Sequence, residues 1–449
     1  MFIFYKMIWI YRILYIPFFL ISFPYYLKRM LKRGGYGKDF HHRLGLLEKL
    51  PKKRNGTKRI WIQAVSLGEV NALRPLIDKL IEKGNIEIVI TTTTSTAYKR
   101  ACDLYSEKVL KVAAFPFDFW LASQRTWKKI EPDIAILMEG ELWPEHIHQA
   151  MIRKVPIFLI NARLSNRSYK RYLKFKFFAK NLVLKKITAL LAGSQQDLDR
   201  FKTLGVESGK AYCTGNIKFD VKSEFYLSDL KKKEIKKEIS FLNGEDPEPL
   251  ILMGSSTWSG EEAMLIETFE KLYEKGINCR LLIVPRHPER REEIKHLLKG
   301  QKRSWHFRSE SKEAPPGTEI YIADTVGELA MLSQIADLAF IGKSLDPNQG
   351  GQTPIEAAAI GLPLIYGPNM SNFKQICESL EKATDRMVLC KDSHEVKEKI
   401  NDLLQNSERR QKLASDLKKW HGQNQGATDK TLTYIESFLA KIDQNEVNI

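Results

Sequence analysis

The chain has 449 residues and a formal net charge of +17, with 71 Lys and Arg against 54 Asp and Glu. This length exceeds what one ordinary hydrophobic core holds, so two domains are expected. So large a positive excess predicts an anionic partner: nucleic acid, a negatively charged membrane surface or a phosphorylated substrate. The sequence has no zinc-ligand spacing, RNA-binding aromatic motif or long basic arm, which argues against a nucleic-acid-binding protein.

The five cysteines are scattered, and they include no Cys-x-x-Cys pair. An odd number of isolated cysteines is typical of ordinary thiols in a reducing compartment. A disulfide framework is therefore not expected.

Residues 1–33 are predicted to form a membrane anchor. The stretch 13–27 has no charged residue, and the apolar length extends back to Met7 if Arg12 reaches the membrane interface. That is about the ~20 residues that one tilted span requires. A basic cluster at 28–33 follows, and the positive-inside rule then places the remaining chain in the cytoplasm. A helix that lies in the interface without spanning is the alternative.

Strand patterns alternate with helical patterns over 34–225, which predicts parallel βαβ units. A short apolar run at 60–62 leads into Ser66, Gly68 and Glu69, and a helical pattern follows. Ligands bind at the carboxyl ends of the strands in such sheets, so Glu69 is a candidate general base. The alternative is that Glu69 only complements the dipole of the helix that it begins.

Three further polar residues follow strands in this first half. Glu141 belongs to a Glu-x-Glu loop, and Asn161 and Arg163 follow the next apolar run. An amide and a guanidinium at a strand end can bind a carboxylate or a phosphate. The run 163–186 is basic and aromatic, which suits an anionic membrane interface. A solvated basic face over an ordinary core is the alternative for that run.

A charged stretch followed by turn-forming residues predicts a linker at 226–249. The second half, 250–425, again alternates strands and helices. Its first strand is expected to end before 254–257, whose small hydroxyl residues would form an anion site at a helix start.

Other strand ends of the second half also carry candidate ligand-binding residues. Arg286 and His287 could bind a phosphate. The glycine pair 350–351 before a helix start would admit a nucleotide phosphate, because glycine permits close backbone approach. Glu356, in the first turn of that helix, could accept both hydroxyls of a ribose.

Taken in order, these blocks closely resemble the bacterial 3-deoxy-D-manno-octulosonic acid (Kdo) transferases, and the likeness covers nearly the whole chain. The matching motifs are Gly-Lys-Asp-Phe at 37–40, Ala-Val-Ser-Leu-Gly-Glu at 64–69, Glu-x-Glu-Leu-Trp-Pro at 139–144, Asn-Ala-Arg-Leu-Ser at 161–165, Gly-Asn-Ile-Lys-Phe-Asp at 215–220, Pro-Arg-His-Pro-Glu-Arg at 285–290, Asp-Thr-x-Gly-Glu-Leu at 324–329 and Gly-Pro-x-Met-x-Asn-Phe at 367–373.

The resemblance implies an α/β fold of the GT-B type, with two facing Rossmann-like domains that contain parallel sheets, plus the N-terminal anchor helix. Residues 34–225 would bind the acceptor and residues 250–425 the donor. The final helix, 426–449, would pack back on the first domain.

The implied reaction is an inverting transfer of Kdo from CMP-Kdo to a lipid A precursor (lipid IVA) at the inner membrane, in lipopolysaccharide biosynthesis. Glu69 matches the family's catalytic base. Neither a cofactor nor a metal is implied, because no Asp-x-Asp pair lies at a strand end, and protein cations would stabilise the departing CMP. The expected acceptor residues are Ser66, Gly68, Glu141, Asn161 and Arg163. The expected donor residues are Lys218, Arg286, His287, Thr325, Gly327, Glu328, Leu329, Gly351, Thr353 and Glu356.

The sequence departs from the family pattern in three places. Gln63 and Trp258 each replace a usual His, and Gln352-Thr353 replaces His-Asn. Gln63 lies six residues before Glu69 and could alter its hydrogen bonds. These differences bear on the choice of acceptor or sugar more than on fold or reaction type.

Two alternatives to a Kdo transferase remain from the sequence. One is a related GT-B transferase or epimerase that uses a UDP-sugar, which the loop 324–329 would decide. The other is an inactive, membrane-bound glycolipid-binding homologue, which the three departures would favour. The presence of Glu69, Arg286 and Glu356 argues against the inactive homologue.

Overall fold

The computed structural model describes residues 2–32, 35–221, 226–242, 244 and 247–443. The chain divides into two compact units. Unit 1 joins the residues up to Val221 with those from Asn424 onward, and unit 2 is the stretch between them.

Unit 1 contains a seven-stranded parallel sheet. Its strands are β1 (Lys58–Ala64), β2 (Ile86–Thr92), β3 (Lys111–Ala114), β4 (Ile134–Met138), β5 (Ile157–Ala162), β6 (Ala189–Ala192) and β7 (Ala211–Cys213). Their spatial order is β3-β2-β1-β4-β5-β6-β7. The order reverses between β1 and β4, so the topological switch point, where ligands bind in such sheets, lies between these two strands.

Helices cover both faces of this sheet. They are α1 (Phe2–Lys32), α2 (Leu67–Ala72), α3 (Arg74–Glu82), α4 (Ser95–Tyr105), α5 (Trp120–Ile130), α6 (Pro144–Ile152), α7 (Asn166–Lys174), α8 (Lys176–Leu182) and α9 (Gln195–Leu204). Successive residues of a strand point to opposite faces. Accordingly, Ile62 packs in one apolar layer with Leu76 of α3, and Trp61 packs in the other with Trp127 of α5.

Helix α1 is long and apolar enough, over Met7–Lys32, to cross a membrane. Polar side chains nevertheless attach it to unit 1. The Tyr11 hydroxyl donates to Asp118 at 2.6 Å, and the Arg12 guanidinium donates to both oxygens of the buried Glu145 carboxylate at 2.8 Å each. A buried bidentate pair of this kind fixes the orientation of the helix on the domain.

Apolar contacts continue along the same face of α1. The rings of Phe19 and Phe117 are 4.9 Å apart, and Met30 is buried with Tyr36 and Ala114. The opposite face is apolar and exposed, with Ile10, Ile13, Leu14, Phe18, Leu20, Ile21, Tyr25 and Leu31.

Unit 2 contains a six-stranded parallel sheet. Its strands are β8 (Leu250–Thr257), β9 (Cys279–Pro285), β10 (Trp305–Phe307), β11 (Ile320–Ile322), β12 (Leu338–Ile341) and β13 (Leu364–Tyr366). The spatial order is β10-β11-β9-β8-β12-β13, which places the switch point between β8 and β12. The predicted fold class, α/β with two parallel sheets, is confirmed.

The helices of unit 2 surround this second sheet. They are α10 (Asp229–Glu238), α11 (Glu261–Glu274), α12 (Arg291–Leu298), α13 (Leu329–Leu332), α14 (Ile355–Ile360), α15 (Lys374–Ala383), α16 (Ser393–Gln405) and α17 (Ser407–Gln423).

The stretch 226–249, expected to be a linker, differs from that expectation where the structure describes it. Helix α10 belongs to unit 2, and Ile235, Ile239 and Phe241 are buried there. Glu238 accepts a hydrogen bond from Arg308 at 2.8 Å. The charged residues of α10 cover its outer face only, which concealed the buried side in the sequence.

The last described helix, α18 (Ala427–Asp443), belongs to unit 1. Asp220 accepts the backbone N–H groups of Gly426 and Thr428 at 2.7 and 2.5 Å, just at the start of α18. Phe438 packs edge-on against Phe158 of β5 at 5.4 Å. Residues 444–449 of the expected C-terminal helix lie outside the described residues.

Candidate active site

Glu69 lies at the carboxyl end of β1, beside the switch point of unit 1. Ser66 caps α2: its hydroxyl accepts the Glu69 N–H at 3.3 Å and donates to Glu69 Oε1 at 2.8 Å. Glu69 Oε2 accepts the Val65 N–H at 2.8 Å. This reciprocal arrangement resembles a capping box, with the N–H of Val65 in place of that of the N-cap residue, and it fixes the carboxylate at the strand end. Gly68 is exposed on the same turn.

The Glu69 carboxylate can accept further hydrogen bonds beyond those that cap the helix. Each oxygen has one of these two partners, whereas a carboxylate offers about four lone-pair sites. The side chain is only 6% exposed. Burial raises the Glu69 pKa, the charge of Glu139 raises it further, and bonds from Val65 and Ser66 together with the charge of Lys218 oppose the rise. A carboxyl with a raised pKa suits proton transfer near neutral pH.

Glu139 follows β4, the strand next to β1, and its carboxylate is held by two cations. Lys218 donates to Oε1 at 2.6 Å, and Arg163 Nε lies 3.8 Å from Oε2. Both Glu139 and Asn161 have φ near +50°, a strained region that clusters at functional sites. Glu139 was not predicted to belong to the site; it was noted only as the neighbour of Glu141. Its position directly after a buried strand could have indicated that it lies there.

Glu141 lies beside the same cluster and accepts the indole N–H of Trp143 at 2.7 Å. Burial, and then the charge of Glu69, raise its pKa to about 8. The Glu141 carboxyl is therefore mostly protonated at neutral pH and can donate a hydrogen bond. Asn161 is buried, and its Oδ1 accepts the Ile217 N–H at 3.3 Å, while no acceptor for its Nδ2 is found among the described residues.

The structure therefore groups the expected acceptor residues at the ends of the adjacent strands β1, β4 and β5. Lys218, expected with the donor residues, belongs to unit 1 instead. It lies on a short 3-10 helix, Ile217–Asp220, and its ammonium is bound to Glu139. The other nine expected donor residues lie in unit 2.

In unit 2, Arg286 and His287 follow β9. The Arg286 N–H donates to the Thr257 carbonyl at 3.1 Å. Partial desolvation raises the pKa of Glu356, and the charge of Arg286 opposes that rise. The Arg286 guanidinium and the Glu356 carboxylate therefore lie near enough to interact, and the Glu356 side chain is exposed to solvent.

The loop 324–329 precedes α13, and the carboxylate of its Glu328 is paired with a cation of the protein. Arg308 donates to both oxygens of Glu328 at 2.5 Å, and the Thr325 hydroxyl also donates to Glu328. Burial alone would raise the Glu328 pKa, but these bonds lower it. Glu328 thus shapes the loop, in which Gly327 has φ +94° and Leu329 begins the helix.

The glycine pair before α14 is closely packed by the protein itself. The Gly350 N–H donates to the Asn369 carbonyl at 3.0 Å, and the Gly351 N–H donates to the Lys343 carbonyl at 2.9 Å. A Cβ at Gly351 would lie 2.4 Å from the sulfur of Met370. Neither N–H is free for a phosphate, so the effect of Gly351 is to position the Lys343 backbone.

The prediction of an anion site at 254–257 is wrong. Strand β8 continues through Thr257, so these residues are buried in the sheet and do not form a turn before a helix. A carboxylate of the chain itself, that of Glu261, binds the N–H groups at the sheet edge. It accepts four backbone N–H groups at 2.8–3.2 Å, those of Trp258, Lys343, Ser344 and Leu345.

Comparison with known proteins decides the family. A family model described as 3-deoxy-D-manno-octulosonic-acid transferase (kdotransferase) matches residues 38–221, and one described as glycosyl transferases group 1 matches 228–420. The chain is 31% identical to the 3-deoxy-D-manno-octulosonic acid transferase of Haemophilus influenzae over 383 residues, which covers 85% of this chain and 87% of that protein. This chain belongs to the Kdo transferase family.

The Kdo transferase of Bordetella pertussis is similar to the same degree, 31% identical over 389 residues, with 85% and 87% of the two chains covered. Among solved structures, the UDP-GlcNAc 2-epimerase of Neisseria meningitidis matches with a TM-score of 0.58 at 13% identity, covering 84% of this chain and all of that one. The likeness to the epimerase shows the fold alone, which is GT-B. As a Kdo transferase, the protein is a glycosyltransferase of lipopolysaccharide biosynthesis.

The three departures from the family pattern have different surroundings in this Kdo transferase. Gln63 is buried in β1 and bonds to Thr91 and Thr93, so it does not alter the hydrogen bonds of Glu69. The Thr353 hydroxyl accepts the Ile355 N–H at 3.3 Å.

Within the described ranges, no three His, Cys, Asp or Glu side chains are grouped so that they could hold a metal ion, and metal independence stays a prediction.

Proposed function

We propose that this Kdo transferase moves Kdo from CMP-Kdo to a lipid A precursor, lipid IVA, with Glu69 as the general base. The observation that carries the proposal is a nearly buried carboxylate with a raised pKa, fixed at the switch point of unit 1. Burial and fixed orientation are what a general base of this kind requires.

In the proposed reaction, deprotonated Glu69 takes the proton of the acceptor hydroxyl while that oxygen bonds to the anomeric carbon of Kdo. The bond from that carbon to the phosphate oxygen breaks, CMP departs with the electron pair, and the anomeric configuration inverts. Glu141, protonated at neutral pH, donates a hydrogen bond to the acceptor. Lys218 and Arg163 balance the charge of Glu139 and limit its effect on the base.

The proposed donor residues of unit 2 bind the charged and polar groups of CMP-Kdo. Arg286 stabilises the negative charge that grows on the departing phosphate. The Glu356 carboxylate accepts the ribose hydroxyls, as predicted from the sequence. His287, Thr353 and the loop with Thr325, Gly327 and Leu329 contribute the remaining contacts to the nucleotide, with no cofactor and no metal.

A lipid acceptor places the enzyme on a membrane, and we propose the cytoplasmic face of the inner membrane. Helix α1 exposes a continuous apolar face, and α8 packs beside it with Phe177 and Phe178 exposed. Because Tyr11 and Arg12 bind side chains of the folded domain, α1 is expected to lie in the interface with its exposed apolar face in the membrane. Flotation with anionic vesicles tests this: the pair Phe177→Ser and Phe178→Ser should weaken binding, and unchanged binding would contradict it.

The reaction is tested with purified full-length protein in detergent, a tetra-acylated lipid A precursor and either CMP-Kdo or UDP-N-acetylglucosamine. Mass spectrometry should show a gain of one or more Kdo units with CMP-Kdo alone. Conversion of the UDP-sugar instead would favour a related GT-B enzyme. Binding of the lipid without product from either donor would indicate an inactive homologue.

A further inference from the structure

The switch point of unit 2 brings together two residues from distant parts of the sequence. Trp258 directly follows β8 and Lys343 follows β12, the two strands that flank this point. The Lys343 ammonium lies over the Trp258 ring, 4.5 Å from its centroid, which is a cation–π contact. The His287 ring meets the same indole edge-on at 5.0 Å.

The backbone of Lys343 has a conformation that glycine favours, with φ +60°. Two hydrogen bonds hold it there: its N–H donates to Glu261 at 2.8 Å, and its carbonyl accepts from Gly351 at 2.9 Å. A strained residue persists only where its surroundings determine its conformation, and such residues cluster at ligand sites. Backbone structure alone would favour glycine at this position, so the long cationic side chain of Lys343 indicates a function.

The Lys343 ammonium has the ring of Trp258 as its partner, and no hydrogen bond or ion pair of its Nζ is found in the part of the chain that the structure describes. Other cations of unit 2 differ in this respect: Arg290 is paired with Glu262 at 2.7 Å, and Arg308 with Glu328. An ammonium without a carboxylate keeps its full capacity for an external anion.

We propose that Lys343 is a further anion-binding residue of the donor site and that Trp258 positions its ammonium. The proposal rests on the proposed function, since the anions of CMP-Kdo are a phosphate and a sugar carboxylate. Lys343 binds an anionic oxygen of one of these two groups at the switch point, where the family resemblance alone had assigned no residue. The aromatic ring holds the ammonium without neutralising it.

The test compares Lys343→Gly with Lys154→Gly. Lys154 is an exposed lysine of unit 1 that also has a positive φ, +56°, so both changes remove one charge and relieve the same kind of strain. Thermal midpoints should stay equal or rise in both variants. In Lys343→Gly, the KM for CMP-Kdo should rise about 10- to 100-fold, the loss expected for one charged hydrogen bond, and Lys154→Gly should match the wild type.

Calorimetric titration with CMP separates the two anions. A loss of CMP affinity in Lys343→Gly assigns the phosphate, whereas unchanged CMP affinity with a raised KM for CMP-Kdo assigns the sugar carboxylate. Unchanged values of both overturn the proposal. If the wild type itself neither binds CMP nor uses CMP-Kdo, the proposed donor fails, which is a distinguishable result.

The positioning role of Trp258 is tested in both backgrounds. Trp258→Ala should weaken donor binding in the wild type and have no further effect in Lys343→Gly, because it acts through the ammonium. Trp258→Phe should recover part of the loss, since a phenyl ring also attracts a cation. An equal loss from Trp258→Ala in both backgrounds would contradict the positioning role.

Discussion

The two units share a parallel sheet with a switch point, yet different titratable side chains gather at those two points. At the edge of unit 1, carboxylates gather: Glu69, Glu139 and Glu141 follow adjacent strands. At the edge of unit 2, Arg286 and Lys343 follow strands on either side of β8. The fold is the same in kind, and the chemistry is set by the few residues that end each strand.

The difference affects the pKa values of the carboxyl groups in unit 1. Carboxyl groups that are buried together raise one another's pKa, because like charges at short range disfavour ionisation. Burial is the larger cause of the raised pKa of Glu69 and of Glu141, and a neighbouring carboxylate adds to it: that of Glu139 for Glu69 and that of Glu69 for Glu141. The edge of unit 1 is therefore suited to exchange protons, and the edge of unit 2 to hold anions. The predictions below separate the two.

The largest effect is expected from Glu69→Gln. The glutamine oxygen can still accept the Val65 N–H and its amide can donate to the Ser66 hydroxyl, but glutamine cannot take the proton of the acceptor hydroxyl. We therefore expect kcat to fall about 10²- to 10⁴-fold, the range for loss of a general base. Calorimetric affinity for CMP should not change. The control is Glu82→Gln on the exposed end of α3, and a near-normal kcat in Glu69→Gln would show that the base lies elsewhere.

An intermediate effect is expected from Arg286→Gln. Loss of its charge at the edge of unit 2 should raise the KM for CMP-Kdo about 10- to 100-fold and leave the KM for the lipid unchanged. Arg409→Gln, an exposed arginine of α17, serves as the control. Equal changes in both KM values would break the division between the two edges.

A smaller effect, on stability, is expected from Glu141→Gln. The Glu141 pKa is about 8 in the folded state and roughly 4.3 when unfolded. The folded state thus binds the extra proton between these values, and stability from this group falls as pH rises through them. Chemical denaturation should show the stability of Glu141→Gln increasing relative to that of the wild type as the pH rises from 5 to 8, because only the unfolded wild type loses the Glu141 proton in this range. An unchanged difference across that range would show that Glu141 ionises normally.

Local pattern was enough to predict both parallel sheets and the placement of Glu69 after β1, because these depend on neighbouring residues. Contacts between distant segments were not predictable in the same way. Lys218 and Glu139 are 79 positions apart, and no local pattern joins them. The glycine pair before α14 was enough to predict a turn there. The close approach of Gly351 to Met370 depends on how distant segments pack, so it could not be predicted from the local sequence. The buried face of α10 was concealed because one Ile among charged residues gives a weak periodic signal.

The pH profile of kcat, recorded for the wild type and for Glu139→Gln, tests whether the carboxylates of unit 1 control the base. We expect kcat of the wild type to rise with pH through an apparent pKa above the ordinary carboxyl value, because Glu69 must lose its proton. Glu139→Gln removes a negative charge beside Glu69 and releases Lys218, so the rise should move to lower pH. A rise that stays in place or moves to higher pH would contradict the claim that the carboxylates of unit 1 control the base.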